Sequence, residues 1–385
     1  MPNINANLTK DIAIANQSLL SQGMISLSPD ENTSTLPIDL VMVLDTSGSM
    51  SGAGVQVLIE SVLLIQKLMS AQDRLAIITF DNSAQLHSSW VGKNDTISGL
   101  TAGGGTNFGS AINELLNFLA QHGGDPSRAG IALFMSDGHG GKAADDHVSS
   151  IPDFGYTMHC LGVTSGVNPD HLEHMAELAR GRYFDAPDFD DVKVKFAQLF
   201  NYGKTIQYSA PVLELDVANG VTLSEVMEVN GTALAPGNDL GPGKHSLALC
   251  NMTQGNVSQV SFKISVDNVA LGENKLVDIG FMGNIGTLNV KGTDINTEVL
   301  GASTNNAVTV SRTTAKATRA LKDGDTSQAT RLVTKLETMG KTVATAASSA
   351  TTLGTVTGST DKGQIHEAIG KITVNTKGET VTREN

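Results

Sequence analysis

The segment Asp39-Leu-Val-Met-Val-Leu-Asp-Thr-Ser-Gly-Ser-Met50 runs apolar and then breaks into an aspartate, two serines at alternate positions and a glycine. Its apolar stretch is long enough for a buried strand and too short for a helix of ordinary length. In an α/β sheet, the loop leaving a strand's carboxyl end is where ligands bind. Asp45, Ser47 and Ser49 therefore put one carboxylate and two hydroxyls on a single tight loop. An oxygen-only set without Cys or His suits a hard divalent cation such as magnesium. Taken alone, Asp45 and Ser47 could equally cap a helix or form a turn, since both residue types favour those positions.

Two later segments can complete the set. Gly103-Gly-Gly-Thr106-Asn107 is a glycine-rich loop ahead of an expected helix, and it carries one more hydroxyl. Ile131-Ala-Leu-Phe-Met-Ser-Asp137-Gly138 is a second apolar run ending in an aspartate. The order Asp-x-Ser-x-Ser, then Thr, then Asp at the end of a later strand resembles the metal-ion-dependent adhesion site of von Willebrand factor type A domains. All five positions of that pattern are filled, by Asp45, Ser47, Ser49, Thr106 and Asp137, and the likeness covers residues 38–202. It implies that Ser47 and Ser49 bind the metal directly, while Thr106, Asp45 and Asp137 trade between direct and water-mediated contacts. It also implies a partner protein offering a Glu or Asp. Magnesium is the expected ion, with manganese or calcium as alternatives. Few direct charges would leave such an ion electrophilic, with a position open to water or to a partner's carboxylate.

Residues 38–202 alternate as a doubly wound, Rossmann-like α/β domain does. Strands are expected at Arg74–Phe80, Ala84–Val91 (an edge), Ile131–Ser136, Tyr156–Gly162 and Arg182–Phe184. Helices are expected at Val55–Met69, Phe108–Leu119, Pro169–Ala179 and Asp190–Phe200. Residues 203–304 change character: segments such as Val212–Val217 and Val257–Val266 alternate apolar and polar residues between Gly, Asn and Pro turns, which predicts a β-sandwich. Gln22–Ser28, within the N-terminal segment 1–37, also reads as a strand, and it would join the sandwich if the α/β domain is inserted into it. That layout resembles inter-α-trypsin-inhibitor heavy chains. Residues 305–340 predict a helical hairpin around Asp323-Gly-Asp325, with Ala329, Leu332, Val333 and Leu336 as the apolar stripe of its second helix. Residues 341–385 read as a polar tail, mobile or docked as a strand on a partner.

The net charge of −13 argues against a nucleic-acid footprint. Cys160 and Cys250 are expected in different domains, as small buried residues and not as a disulfide framework. The N-terminus lacks the pattern of a secretory signal, and no stretch has the apolar length of a membrane span, so an intracellular, cytoplasmic address is expected.

Other motifs carry less. Gly138-His-Gly-Gly-Lys-Ala143 only superficially fits a dinucleotide loop, and the G-x-x-x-x-G-K-[ST] spacing of a P-loop is absent. His171 and His174 lack a third convergent zinc ligand and read as surface helix histidines, and Asp145-Asp-His147 reads as a solvated helix start. No G-x-S-x-G elbow or general base presents itself, so no catalytic residue is assigned. The expected function is metal-dependent protein–protein binding. The alternatives are a structural subunit of a larger assembly, whose metal serves only structure, and a metal-dependent hydrolase.

Overall fold

The computed structural model describes residues 2–30, 33–97, 99–137, 140–163, 169–230, 234, 238–293, 305–340 and 344–357, with 359, 364, 365 and 368. Two compact units result: Ser34–Pro211 with Cys250–Gln254, and Met1–Thr33 with Val212–Leu249 and Gly255–Asn385. Three strands open the chain, β1 (Asn3–Leu8), β2 (Ile12–Ile14) and β3 (Leu19–Ser28), and all lie in the discontinuous unit.

The other unit is a six-stranded sheet in the order β6-β5-β4-β7-β8-β9. Its strands are β4 (Ile38–Asp45), β5 (Arg74–Phe80), β6 (Ala84–Val91), β7 (Ala129–Ser136), β8 (Tyr156–Val163) and β9 (Arg180–Ala186). Neighbours run parallel except at the β5–β6 edge, which is antiparallel. Every residue of β4 and of β7 is buried. The reason is the period of two: Leu40, Met42 and Leu44 of β4 face one core, while Val41 and Val43 face the other. Helices α1 (Ala53–Leu68) and α5 (Phe189–Gly203) cover the first face through residues such as Leu58, Val62, Phe196 and Leu199. Helices α2 (Phe108–His122) and α4 (Pro169–Leu178) cover the second, with the short α3 (Asp145–Ser149) beside them. A strand covered on both sides has no solvent face to mark with polar residues, and each fully buried Leu or Ile contributes ~1.5–3 kcal/mol.

Strand order sets the position of the site. From β4 the chain passes through α1 to β5 on one side, and later returns to pair β7 on the other side of β4. The carboxyl ends of β4 and β7 therefore flank the point where the winding reverses, the crevice in which open α/β sheets bind ligands.

The same unit holds a two-stranded sheet, β10 (Ile206–Tyr208) with β14 (Met252–Thr253). Cys250 consequently lies in the same unit as Cys160, contrary to the expectation of separate domains. A side chain explains the detour: Asn251 accepts from the Ala210 amide at 2.7 Å and donates to Thr157 Oγ1 at 2.8 Å.

In the discontinuous unit, β12 (Val221–Glu228) and β15 (Ser258–Val266) complete an antiparallel sheet ordered β1-β3-β15-β12. Its register joins distant parts of the chain, with Ile25 opposite Val260. A second sheet follows the order β13-β11-β16-β17-β2. It contains β11 (Val212–Val217), β13 (Gly243–Ala248), β16 (Gly272–Phe281) and β17 (Asn284–Thr293), and β2 alone runs parallel to its neighbour. Burial along β11 alternates strictly, the signature of a sheet with one buried face.

The helices α6 (Asn306–Lys322), α7 (Thr326–Gly340) and α8 (Ala344–Gly354) follow. The first two form the expected hairpin. The third departs from the reading of residues 341–385 as a polar tail. Its Ala346, Ala350 and Leu353, spaced i, i+4, i+7, are buried with Leu321, Val333 and Leu336 in one core. Small side chains make this stripe faint in the sequence, and packing alone brings it out. The end of the chain, 369–385, lies outside the described residues. Among the described residues no helix is long and apolar enough to cross a membrane.

Candidate functional site

Asp45 is the last residue of β4 and is fully buried. Its Oδ1 accepts the Ser47 amide at 2.8 Å, which turns the chain sharply out of the strand, and its Oδ2 accepts from Ser136 Oγ at 2.5 Å. The turn carries Ser47 Oγ to 3.0 Å from Ser49 Oγ, and Ser49 Oγ donates to Asp137 Oδ1 at 2.9 Å. Four of the five residues singled out in the sequence thus converge through their side-chain oxygens, although Asp137 arrives from a strand end far along the chain.

Thr106 sits half-buried on the neighbouring loop. Backbone bonds fasten that loop to the first one: the Gly103 amide donates to Thr46 O at 2.8 Å and the Gly48 amide to Gly104 O at 3.0 Å. Gly104 is required here. Gly104 has φ of +80°, and a Cβ on it would lie 3.0 Å from Asp81 Oδ2. Asn82 Oδ1 accepts the Gly105 amide at 3.0 Å, and Asp81 O accepts the Asn107 amide at 2.8 Å. Asn107 then caps α2, its side chain accepting the Ser110 amide at 3.0 Å. A bridge between Asn107 and Gly141 ties in the loop that follows Asp137. Of the loop Gly138–Lys142, the first two positions lie outside the described residues.

Electrostatics at the site are those of carboxylates short of a counter-charge. Burial pushes the Asp45 carboxyl above its ordinary range, against the bonds from Ser136 and Ser47, and the like charge of Asp137 adds to the rise. Burial raises Asp137 as well, against the Ser49 bond. Among the described residues no cluster of three or more His, Cys, Asp or Glu could hold an ion, and the oxygens gathered here include two serine hydroxyls. Two desolvated carboxyls joined by two serine hydroxyls make a donor set that a hard cation fits.

Three contributors were not singled out in the sequence: Ser136, Asp81 and Asn82. Ser136 was recoverable in principle, because the parallel register pairs Leu44 with Met135 and so sets Ser136 beside Asp45. The other two act through loop packing, for which no local pattern exists. His171 and His174 lie on α4. His174 Nε2 meets Asp145 Oδ2 at 3.1 Å, and the half-buried His171 ring packs 5.5 Å from Phe108, so only His174 fits the surface reading.

The family described as von Willebrand factor type A domain matches residues 39–198. Residues 39–198 are a von Willebrand factor type A domain. Across 98% of this chain, the fold is similar to a solved von Willebrand factor type A protein from Catenulispora acidiphila, with a TM-score of 0.68, 16% identity and 96% of that chain covered. It is also similar to the ArnB paralog VWA2 from Sulfolobus acidocaldarius, with a TM-score of 0.71, 14% identity, 98% of this chain and 100% of that chain covered. At these identities the likeness concerns fold alone. An uncharacterised Synechocystis protein is 27% identical over 219 residues, 53% of this chain and 51% of its own length. Mouse inter-alpha-trypsin inhibitor heavy chain 4 is 31% identical over 179 residues, 40% of this chain and 19% of that protein. The chain thus spans about half the length of the first curated relative and a fifth of the second. Type A domains generally mediate protein–protein interaction or adhesion, and this one places its convergent oxygens at the winding reversal of its sheet.

Proposed function

We propose that the type A domain is a divalent-metal-dependent protein-binding module. Asp45, Ser47, Ser49, Thr106 and Asp137 hold a magnesium ion, and a partner's Glu or Asp completes the set. The observation carrying this reading is the oxygen chain Ser47–Ser49–Asp137, with contacts of 3.0 and 2.9 Å across two strand ends. When bound, the ion supplies a coordination position open to an external carboxylate. The protein's own residues do the rest. Asp45 fixes the Ser47 amide, Ser136 orients Asp45, and the Gly103–Gly105 backbone holds the serine loop in place. Ionised Asp45 and Asp137 are costly to keep buried without a cation, which favours occupancy and partner capture together.

The test is calorimetric titration of magnesium into EDTA-stripped protein and into Asp45→Ala, followed by a pulldown with and without metal. Saturable binding lost in the variant, together with partners released by EDTA, is expected. Binding with no metal-dependent partner would move the assignment to a structural subunit, and absence of binding would overturn the metal site.

A further inference from the structure

The bundle α6–α8 and the sheet β1-β3-β15-β12 belong to one compact unit, yet their junction is built of polar parts. The bundle has a core of its own, to which α6 contributes Val310, Ala317, Ala320 and Leu321. Val308, Ser311, Arg312, Ala315 and Thr318 make a stripe on the other side of α6, at i, i+3, i+4, i+7 and i+10, and all five are buried. This is the side left for β3 and β15, the strands that α6 contacts. Leu, Ile and Phe are missing from it.

Two observations mark the junction as one made to open. First, the hydroxyls of Ser311 and Thr318 are buried with no hydrogen-bond partner among the described residues. Exposed threonines of the neighbouring helices, Thr330, Thr338 and Thr351, each bond the carbonyl four residues back. A buried hydroxyl without a partner is destabilising, and exposure to water would satisfy it. Second, the polar fastening converges on one carboxylate. Glu225 sits at a register break of β12 with φ of +49°, in the left-handed region that a side chain rarely adopts. It accepts from Lys263 of β15, from Arg312 and, at 2.8 Å, from Lys316. Arg312 is 3% exposed, and Glu225 is its one ion-pair partner among the described residues. Burial works to raise the Glu225 pKa, but hydrogen bonds from Lys263 and Lys316 and the charge of Arg312 hold it down to about 2. Because Glu225 and Lys263 keep about two fifths of their side chains exposed, salt reaches this node.

We propose that α6–α8 undock from the sheet as one body, with the Glu225–Arg312–Lys316–Lys263 cluster as the latch. The small and hydroxyl-bearing face of α6 lets the helix stand in water without exposing an apolar stripe, and the separate bundle core keeps the three helices together. Ionic strength, or a competing anion at the cluster, would set the balance. Acid would not until near pH 2, because Glu225 stays ionised down to that range.

Native-state hydrogen exchange on the full chain, read by mass spectrometry, tests this. Without the sheet behind it the bundle opens locally more readily, so in Glu225→Gln, and in the unaltered protein at high salt, amides of α6–α8 should exchange at least tenfold faster, with β3, β15 and β16 unchanged. Thr318→Val removes an orphaned hydroxyl from the sheet-facing stripe while keeping shape, and should slow the same amides below the unaltered protein. Should Glu225→Gln fail to fold, Lys316→Ala gives the same comparison from a partly exposed residue. Equal acceleration of β15 and the helices, or faster helix exchange in the valine variant, overturns the proposal.

Discussion

His159 allows a prediction whose size follows from the structure. It lies on β8, 1% exposed, between the rings of Phe184 and Tyr202. Its Nδ1 accepts the Arg182 amide at 3.1 Å, so the neutral ring carries its proton on Nε2, which has no partner among the described residues. Burial, and secondarily the charge of Arg182, push its pKa down to about 3. An unfolded histidine titrates near 6.5. Below that pH the unfolded chain takes up a proton that the native unit refuses. The His159 contribution is therefore complete above about pH 6.5 and is lost as pH falls toward about 3, at ~1.4 kcal/mol per pH unit. At pH 5 the loss amounts to about 2 kcal/mol. Asp45 and Asp137, both raised, contribute slopes of opposite sign, and these cancel in a comparison of variants. His159→Asn retains an acceptor for the Arg182 amide and removes the titration. Guanidinium unfolding followed by Trp90, the single tryptophan and a resident of the same unit, isolates the relevant transition. The stability gap between the unaltered protein and the variant should shrink by about 2 kcal/mol from pH 7.5 to pH 5. A gap independent of pH would refute the neutral, unpartnered assignment.

Two further outcomes follow from the geometry. Asp39 is buried and accepts from Arg74 at 2.7 Å and Arg128 at 2.5 Å, so Asp39→Asn should destabilise the type A domain by about 3 kcal/mol in the same unfolding assay. That is the low end for a broken buried pair, because Arg74 stays about a third exposed. Gly104→Val forces a branched side chain to φ of +80° and against Asp81, and should cost about 1–3 kcal/mol locally. Magnesium titration should then show weakened binding while Trp90 still reports a folded unit.

Much of the type A fold is legible in the residues themselves. The run Leu40–Leu44 is apolar at every position because α1 and α5 cover one face of the sheet and α2 and α4 the other, and that pattern survives in any reading of the sequence. Asp45 and Asp137 announce themselves by ending such runs. The helix of Ala344–Gly354 does not, because alanines among threonines and serines show no stripe until α6 and α7 supply the other half of the core.

The sequence by itself determined the strand periodicity, the order of oxygen-bearing residues and the glycines that let two loops approach, since these are properties of short segments. Tertiary structure decided the rest. It brought Ser49 to 2.9 Å from Asp137, set Ser136 against Asp45, drew Asn251 and Cys250 back to β8's neighbourhood, and paired Ile25 with Val260. Each of these joins residues too far apart in the chain for local propensity to couple. Register between distant strands is chosen by which faces can be buried together, and that choice exists only once the sheets have formed.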